Sequence, residues 1–171
     1  MSEKIPTLPL FPLFTVLFPK AALPLHIFED RYKRMINFCV ENQTNFGVVL
    51  IKSGVEVGGP AEPYLIGTEA KITQVERLEQ GKMNLLVFGI RKFTIKEIVQ
   101  KEPYLIGKVE FLAEDKTDKN LKPLMPDVEE LIEQYLNLVS FISRQILPKL
   151  NYHNSATELS YLIPQILPLD L

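Results

Sequence analysis

Residues 8–34 read LPLFPLFTVLFPKAALPLHIFEDRYKR, and this stretch decides the fold. Residues 7–14 are apolar at nearly every position, which predicts a strand that is buried on both faces. Pro9 and Pro12 have no N–H to donate to a sheet ladder. We therefore expect this strand to lie at a sheet edge or to adopt a polyproline-like form.

The same stretch predicts a turn, a second strand and the start of a helix. The turn is at Pro19-Lys20 and the strand spans residues 24–28. Glu29 and Asp30 follow, and negative charge is favourable at a helix N-terminus. Apolar residues then recur at i, i+3, i+4, i+7 and i+8, namely Tyr32, Met35, Ile36, Cys39 and Val40. Asn42 is the predicted end of this helix.

A series of strand patterns follows the helix. A loop over residues 53–63 and a turn at Gln80-Gly81 separate some of them. The predicted strands are 45–52, 64–77, 83–90, 92–99 and 104–112. Six or seven strands joined by short turns favour a small barrel or pseudo-barrel.

One hexapeptide, EPYLIG, occurs twice, at residues 62–67 and 102–107. A repeat architecture requires at least three copies. We interpret the pair as two strands that each begin after a proline.

The pattern becomes helical after a polar linker. Ser155-x-x-Glu158 is a capping box that starts a final helix. The preceding helix, which ends before Pro148, is marked by Val128, Leu131, Ile132, Tyr135, Leu138, Val139 and Ile142. The predicted class is α+β, with a β-rich subdomain at 1–114, a linker at 115–123 and a helical subdomain at 124–171.

The charge distribution argues against a nucleic-acid binder. Residues 1–110 carry a net charge of +2 and residues 111–171 carry −4, with no basic run in either part. Residues 69–110 hold eight basic and six acidic residues, so RNA binding stays open as an alternative.

The apolar start of the chain resembles a signal sequence only superficially. Four prolines interrupt residues 5–19, and the stretch is shorter than the roughly 20 residues of a membrane span. We expect extended chain inside a fold and a cytoplasmic protein. Cys39 is the only cysteine, on the apolar face of the first helix, so we expect a buried structural thiol.

Signatures of catalysis and metal binding are missing from the sequence. The phosphate-binding pattern G-x-x-x-x-G-K-[ST] and the nucleophile pattern G-x-S-x-G do not occur. With two histidines and one cysteine, we expect no metal and no cofactor. We interpret His26 as a hydrogen-bonded structural histidine and His153 as a surface residue.

Residues 8–34 resemble the opening of the Lon protease N-terminal domain family, which has an LPLFPL strand, a PLHIFE-type strand and a helix that begins with Arg-Tyr. Lys20 stands where this family usually has glycine. Further similar segments are 45–51, 66–70, 89–93 and 162–169. The resemblance implies a PUA-like β pseudo-barrel with one inserted helix, followed by a C-terminal helical subdomain.

The resemblance also implies a function. In the Lon family this domain helps to capture substrate polypeptides, whereas separate ATPase and Ser-Lys peptidase modules act on them. A chain of 171 residues has no room for those modules. We therefore expect a non-catalytic protein- or peptide-binding module that acts as an adaptor in protein quality control, and no membrane partner. A hidden hydrolase and an RNA-binding PUA-like protein are the alternatives.

The candidate binding residues are His26, Glu29, Arg31 and Tyr32, where the second strand meets the helix. The alternative, which we favour for Glu29 and Arg31, is that they only hold this junction together. Residues 5–19 offer a second candidate surface if they form a free edge that accepts a peptide strand; otherwise they fill the barrel core.

Overall fold

The computed structural model describes residues 5–113, 121–144 and 155–167. They belong to two compact units, Met1–Ala113 and Glu114–Asp170. The strands are β1 (Thr7–Leu13), β2 (Ala22–Ile27), β3 (Phe46–Gly54), β4 (Ala61–Arg77), β5 (Met83–Gln100) and β6 (Leu105–Phe111). The helices are α1 (Asp30–Glu41), α2 (Met125–Ser143) and α3 (Ala156–Ile166), with short 3-10 turns at Glu79–Gly81 and Lys122–Leu124.

The six strands form one mixed sheet that closes on itself. Their order is β2-β5-β4-β3-β1-β6, and β5 also pairs with β6. Five strands therefore make a closed ring, and β2 adds to it only through β5. This arrangement confirms the α+β class and the pseudo-barrel with one helix inserted after β2.

The prediction that the first strand lies at a sheet edge is wrong. β1 lies between β3, with which it is parallel, and β6, with which it is antiparallel. The two pairings overlap only at Leu10: Pro9 is in register with β6 alone and Pro12 with β3 alone. Each proline thus lies in a half of the strand that is paired on one side, which leaves room for a residue without an N–H.

The strand β1 therefore contributes to the core and has no edge that is free along its whole length. The residues from Leu8 to Leu13 are all buried, and Leu17 is 3% exposed. This burial, and the pairing of β1 with β3 and β6, argue against the hypothesis that residues 5–19 accept a peptide by strand addition.

The predicted strands 83–90 and 92–99 are a single strand, β5, of 18 residues. It pairs with β2 over residues 83–88, with β4 over residues 83–94 and with β6 over residues 93–100. The turn before β2 docks on it at Gly89, where Lys20 N donates to Gly89 O at 2.8 Å and Gly89 N donates to Ala21 O at 2.9 Å. A Cβ at Gly89 would lie 2.2 Å from Phe18 O, so the close approach of this turn requires glycine.

Lys20 adopts a backbone conformation that favours glycine. Its φ is 66°, in the left-handed region. Lysine at this position therefore carries the energetic cost of a Cβ in the left-handed region.

The loop between β3 and β4 is shorter than predicted, at residues 55–60. β3 continues to Gly54 and β4 begins at Ala61. Pro63 consequently lies inside β4, whereas Pro103 precedes β6. The interpretation of the EPYLIG repeat holds for its second copy only.

Helix α1 covers one of two apolar clusters in the first unit. Tyr32, Met35, Ile36 and Cys39 are its buried residues, as the periodicity predicts, and Asn42 is the C-cap. Phe46, Val48, Ala70 and Val87 belong to the same cluster. The second cluster is built on Leu8, Leu10, Val49, Phe93, Ile95 and Val109.

In the second unit, the two predicted helices are present. Ser155 Oγ accepts a hydrogen bond from Glu158 N at 3.3 Å, which is the predicted cap of α3. Ile132 is the buried residue of α2. The greater part of the predicted linker, residues 114–120, and His153 lie outside the described residues.

Candidate functional site

The first unit contains a cleft of about 990 Å³ at one end of the barrel. Strand ends meet there: the C-terminal ends of β1, β3 and β5 and the N-terminal ends of β4 and β6. The register of β4 with β5 ends at Ile66 and Thr94. Beyond this pair the two strands separate, and residues farther along both strands line the cleft.

The walls of the cleft come from four segments. Both copies of EPYLIG contribute: the first through Glu62 and Pro63 in β4, and the second through Glu102, Tyr104 and Leu105 before and in β6. The full set of lining residues is Pro12, Glu29, Arg31, Tyr32, Ser53, Gly54, Gly58, Gly59, Pro60, Ala61, Glu62, Pro63, Ile98, Lys101, Glu102, Tyr104 and Leu105.

Arg31 anchors the loop between β3 and β4 to the start of α1. Its Nη1 donates to Gly59 O at 2.8 Å and its Nη2 donates to Glu56 O at 3.2 Å. Its Nε donates to Glu29 Oε2 at 3.1 Å, and the same carboxylate oxygen accepts from Gly58 N at 3.0 Å. Arg31 and Glu29 therefore bind both the C=O and the N–H groups of the loop backbone.

A second contact fixes the same loop to the end of β1. Glu56 Oε2 accepts a hydrogen bond from Phe14 N at 2.6 Å. The loop that forms one wall of the cleft is therefore attached to two other segments of the barrel. This rigidity makes the shape of the cleft a property of the fold.

Tyr32 lies beneath this network and lines the cleft. It is 4% exposed, its ring centroid is 4.2 Å from that of Phe11, and the Arg31 guanidinium lies 4.5 Å from its ring centroid. Burial raises the pKa of the Tyr32 hydroxyl to about 12, an effect that the nearby Arg31 charge partly offsets. The hydroxyl is therefore protonated at neutral pH and able to donate a hydrogen bond.

Glu62, which follows this loop in β4, brings an exposed carboxylate to the cleft. Glu62 accepts from Ser53 Oγ at 3.0 Å and pairs with Lys52 Nζ at 3.3 Å. These hydrogen bonds, first that of Ser53, lower the pKa of Glu62. The cleft thus combines apolar side chains with charged groups near its rim, as small-molecule and peptide sites do.

Three of the four predicted binding residues come together at the cleft, and His26 does not. His26 is exposed on β2, where its Nδ1 lies 2.8 Å from Asn84 Oδ1 and its ring stacks on Phe28 with centroids 5.9 Å apart. Asn84 is oriented in turn by Glu76, at 2.8 Å. The hydrogen-bonded histidine is as predicted, but its environment is the sheet surface.

Sequence reasoning did not identify the residues from the far end of β5 and the start of β6. Ile98, Lys101, Tyr104 and Leu105 lie about 70 residues after Arg31 in the sequence and reach the cleft because the barrel closes between β5 and β6. The signal that could have found them is the EPYLIG repeat, since both copies line the site.

Cys39 is 1% exposed, and burial raises the pKa of its thiol to about 11, as expected for a structural cysteine. Within residues 5–113, 121–144 and 155–167, no three His, Cys, Asp or Glu side chains are grouped as metal ligands. None of the helices in these ranges is long and apolar enough to cross a membrane.

Known proteins with similar sequences are Lon proteases. A Lon protease from Parabacteroides distasonis is 31% identical over 146 residues, which is 82% of this chain and 18% of that protein. Lon protease 2 from Myxococcus xanthus is 33% identical over 145 residues, or 77% of this chain and 17% of that protein. The chain therefore spans less than a fifth of the length of these relatives.

Solved structures with the same fold are Lon N-terminal domains. A Lon N-terminal domain protein from Xanthomonas campestris superposes with a TM-score of 0.72 at 29% identity, covering 97% of this chain and 85% of that one. The N-terminal domain of a Mycobacterium avium complex Lon protease gives a TM-score of 0.57 at 18% identity, covering 81% and 75%, and supports the fold alone. Residues 7–171 match the family described as the ATP-dependent protease La (LON) substrate-binding domain, and the chain belongs to that family.

Proposed function

We propose that this chain is a non-catalytic recognition module that binds exposed segments of polypeptide in the cleft at the end of its barrel. The observation that carries the proposal is the cleft itself: it has a rigid wall held by Arg31, apolar side chains and hydrogen-bonding groups, in a family described as substrate-binding. An adaptor role in protein quality control and a cytoplasmic location are parts of the same proposal. The division of the chain at 1–114, 115–123 and 124–171 would place the whole cleft in the first part.

The apolar portion of the cleft supports an unfolded rather than a folded partner. Pro12, Tyr32, Ile98, Tyr104 and Leu105 line a concave site, which accepts a projecting side chain or an extended segment. A folded partner would keep most of its own large apolar side chains in its interior, where this cleft does not reach them.

The charges on the barrel surface give RNA binding little support. Arg91 pairs with Glu69 at 2.7 Å and Lys108 pairs with Glu97 at 2.6 Å, and Lys96 pairs with Glu110. These basic residues of the 69–110 segment are neutralised by carboxylates on neighbouring strands. Binding to phosphate would require a concentrated basic face.

The test is binding of fluorescein-labelled β-casein, an unfolded polypeptide, to the purified chain, measured by fluorescence anisotropy. We expect saturable binding that labelled ubiquitin, a folded protein, does not show. Equal signals for the two, or none for β-casein, would contradict the proposal. Recovery of β-casein uncut after incubation tests the non-catalytic part, and cleavage would favour the hydrolase.

Two matched variants locate the binding. Ala61→Trp places a large ring in the cleft, whereas Ala22→Trp makes the same change at an exposed position of β2. We expect the first variant alone to weaken β-casein binding.

A single-stranded RNA oligonucleotide at low salt tests the alternative function. Tighter binding of this RNA than of β-casein would establish RNA binding as the function.

A further inference from the structure

The Tyr32 hydroxyl is a buried polar group without a hydrogen-bond partner among the described residues. Tyr32 is 4% exposed, and its contacts are those of its ring and its backbone. Buried hydroxyl groups in proteins are nearly always hydrogen-bonded, since an unmade bond in the interior costs stability. An exception calls for an explanation, and a binding site is one place where such exceptions occur.

Another tyrosine of the same chain shows the ordinary behaviour. The Tyr135 hydroxyl, in α2, donates to Ile166 O at 3.3 Å. Tyr32 differs because it lines the cleft, where a ligand would be able to supply the acceptor.

The position of the Tyr32 hydroxyl is fixed before any ligand binds. The Phe11 ring packs against the Tyr32 ring with 4.2 Å between centroids, and the Arg31 guanidinium lies 4.5 Å from the centroid of the Tyr32 ring. Arg31 is itself held by Glu29, Gly59 O and Glu56 O. A donor that is already oriented loses little conformational entropy when it binds.

The charges around Tyr32 select a neutral acceptor. Three carboxylates line the cleft, Glu29, Glu62 and Glu102, against the two cations Arg31 and Lys101, and Arg31 is already paired with Glu29. A carboxylate ligand would be repelled by these groups. A main-chain carbonyl accepts the same hydrogen bond without that repulsion.

The strands beside the cleft favour an extended ligand. β4 pairs with β3 from Ala61 onward, but its register with β5 begins only at Ile66. Ala61, Glu62 and Pro63, which line the cleft, therefore have β3 as their one neighbouring strand. An extended segment can lie in the space between the diverging strands β4 and β5. A compact ligand would fill only part of the length of that space.

We propose that Tyr32 determines specificity in the cleft by donating a hydrogen bond to a main-chain carbonyl of an extended polypeptide, next to an apolar side chain that packs against Tyr104 and Leu105. This inference rests on the proposed function and names the contact by which the site recognises its ligand. The substitution Tyr32→Phe, which removes only the hydroxyl oxygen, tests this inference.

The experiment compares Tyr32→Phe with Tyr64→Phe in the full chain. Tyr64 is a half-exposed residue of β4 that does not line the cleft, so its substitution is the matched control. Binding of fluorescein-labelled β-casein is measured by anisotropy, and stability by urea unfolding. We expect Tyr32→Phe to weaken binding by about tenfold and Tyr64→Phe to leave it unchanged.

Stability separates this role from a structural one. Since the hydroxyl lacks a protein partner, Tyr32→Phe should unfold at the same or a higher urea concentration than the parent chain. A structural hydroxyl would give lower stability and unchanged affinity, and that result overturns the inference. Equal affinities of parent and Tyr32→Phe overturn it too while leaving the proposed function intact, whereas no binding by the parent chain overturns both.

Discussion

Arg31 and Glu29 form an ion pair with 3.1 Å between Nε and Oε2, and each of the two side chains also binds the backbone of the loop between β3 and β4. Glu29 takes the amide of Gly58 and Arg31 takes the carbonyl of Gly59. One pair of residues at the start of α1 thus positions a wall of the cleft that lies about 28 residues away in the sequence.

Arg31→Ala should destabilise the first unit by about 1–3 kcal/mol, because it removes hydrogen bonds between a charged group and the loop and leaves Glu29 without its cation. Arg31→Lys should recover part of this, since lysine keeps the charge but not the planar fork. Urea unfolding gives the free energy, and amide hydrogen exchange at Gly58 and Gly59 reports the loop. The control is Arg34→Ala on the exposed side of α1; equal effects of the two alanine variants would show that the loop does not depend on Arg31.

The junction residues illustrate what local sequence predicts and what it leaves out. The motif at 24–34 placed Glu29, Arg31 and Tyr32 together, because neighbours on a strand and the next helical turn stay close in any fold. The hydrogen bonds of Arg31 to Glu56 and Gly59 depend on how the barrel closes. Hydrophobic periodicity and secondary-structure propensity carry no information on this closure. Tyr104 and Leu105 were missed for the same reason.

The error at β1 has a similar origin. The rule that proline belongs at sheet edges is local, and it holds at each end of β1 separately. Pairing with β6 ends where pairing with β3 begins, so one strand is a partial edge on both sides. Pattern alone does not distinguish this arrangement from a true edge.

Lys20→Gly should stabilise the protein by roughly 0.5–1 kcal/mol. Lysine at φ 66° carries the steric cost of a Cβ in the left-handed region, and glycine does not, although glycine loses more entropy on folding. The measurement is the urea midpoint. Lys71→Gly, within β4, should have the opposite sign because glycine weakens a strand interior. A loss of stability in Lys20→Gly comparable to that in Lys71→Gly would mean that the turn does not strain Lys20.

Gly89→Ala should destabilise the fold by more than about 2 kcal/mol, since the new Cβ meets the backbone oxygen of Phe18 at 2.2 Å and would push the turn off β5. Gly58→Ala is the comparison: it has nothing within 4 Å, and its φ of +75° should cost only about 1 kcal/mol. Thermal and urea unfolding of the two variants give the order. If Gly58→Ala proved the more damaging substitution, the close approach of Phe18 to Gly89 would be in error.

The buried thiol of Cys39 predicts a loss of stability in alkali. Its pKa is raised by burial from 9.0 to about 11 in the folded protein, so the folded state holds the proton more tightly than the unfolded chain does. This contribution is complete below pH 9 and is lost as the pH rises from 9 towards 11, because the unfolded thiol ionises first.

The variant Cys39→Ala should be less stable than the parent at pH 7, since it leaves a small cavity. Between pH 9 and pH 10.5, however, its free energy of unfolding should fall by roughly 1–2 kcal/mol less than that of the parent. The measurement is urea unfolding of both proteins at pH 7, 9 and 10.5, and it has a built-in control because the Tyr32 hydroxyl, with its own raised pKa of about 12, titrates in both. Parallel stability curves for parent and variant across this pH range would show that the Cys39 thiol does not control the alkaline response.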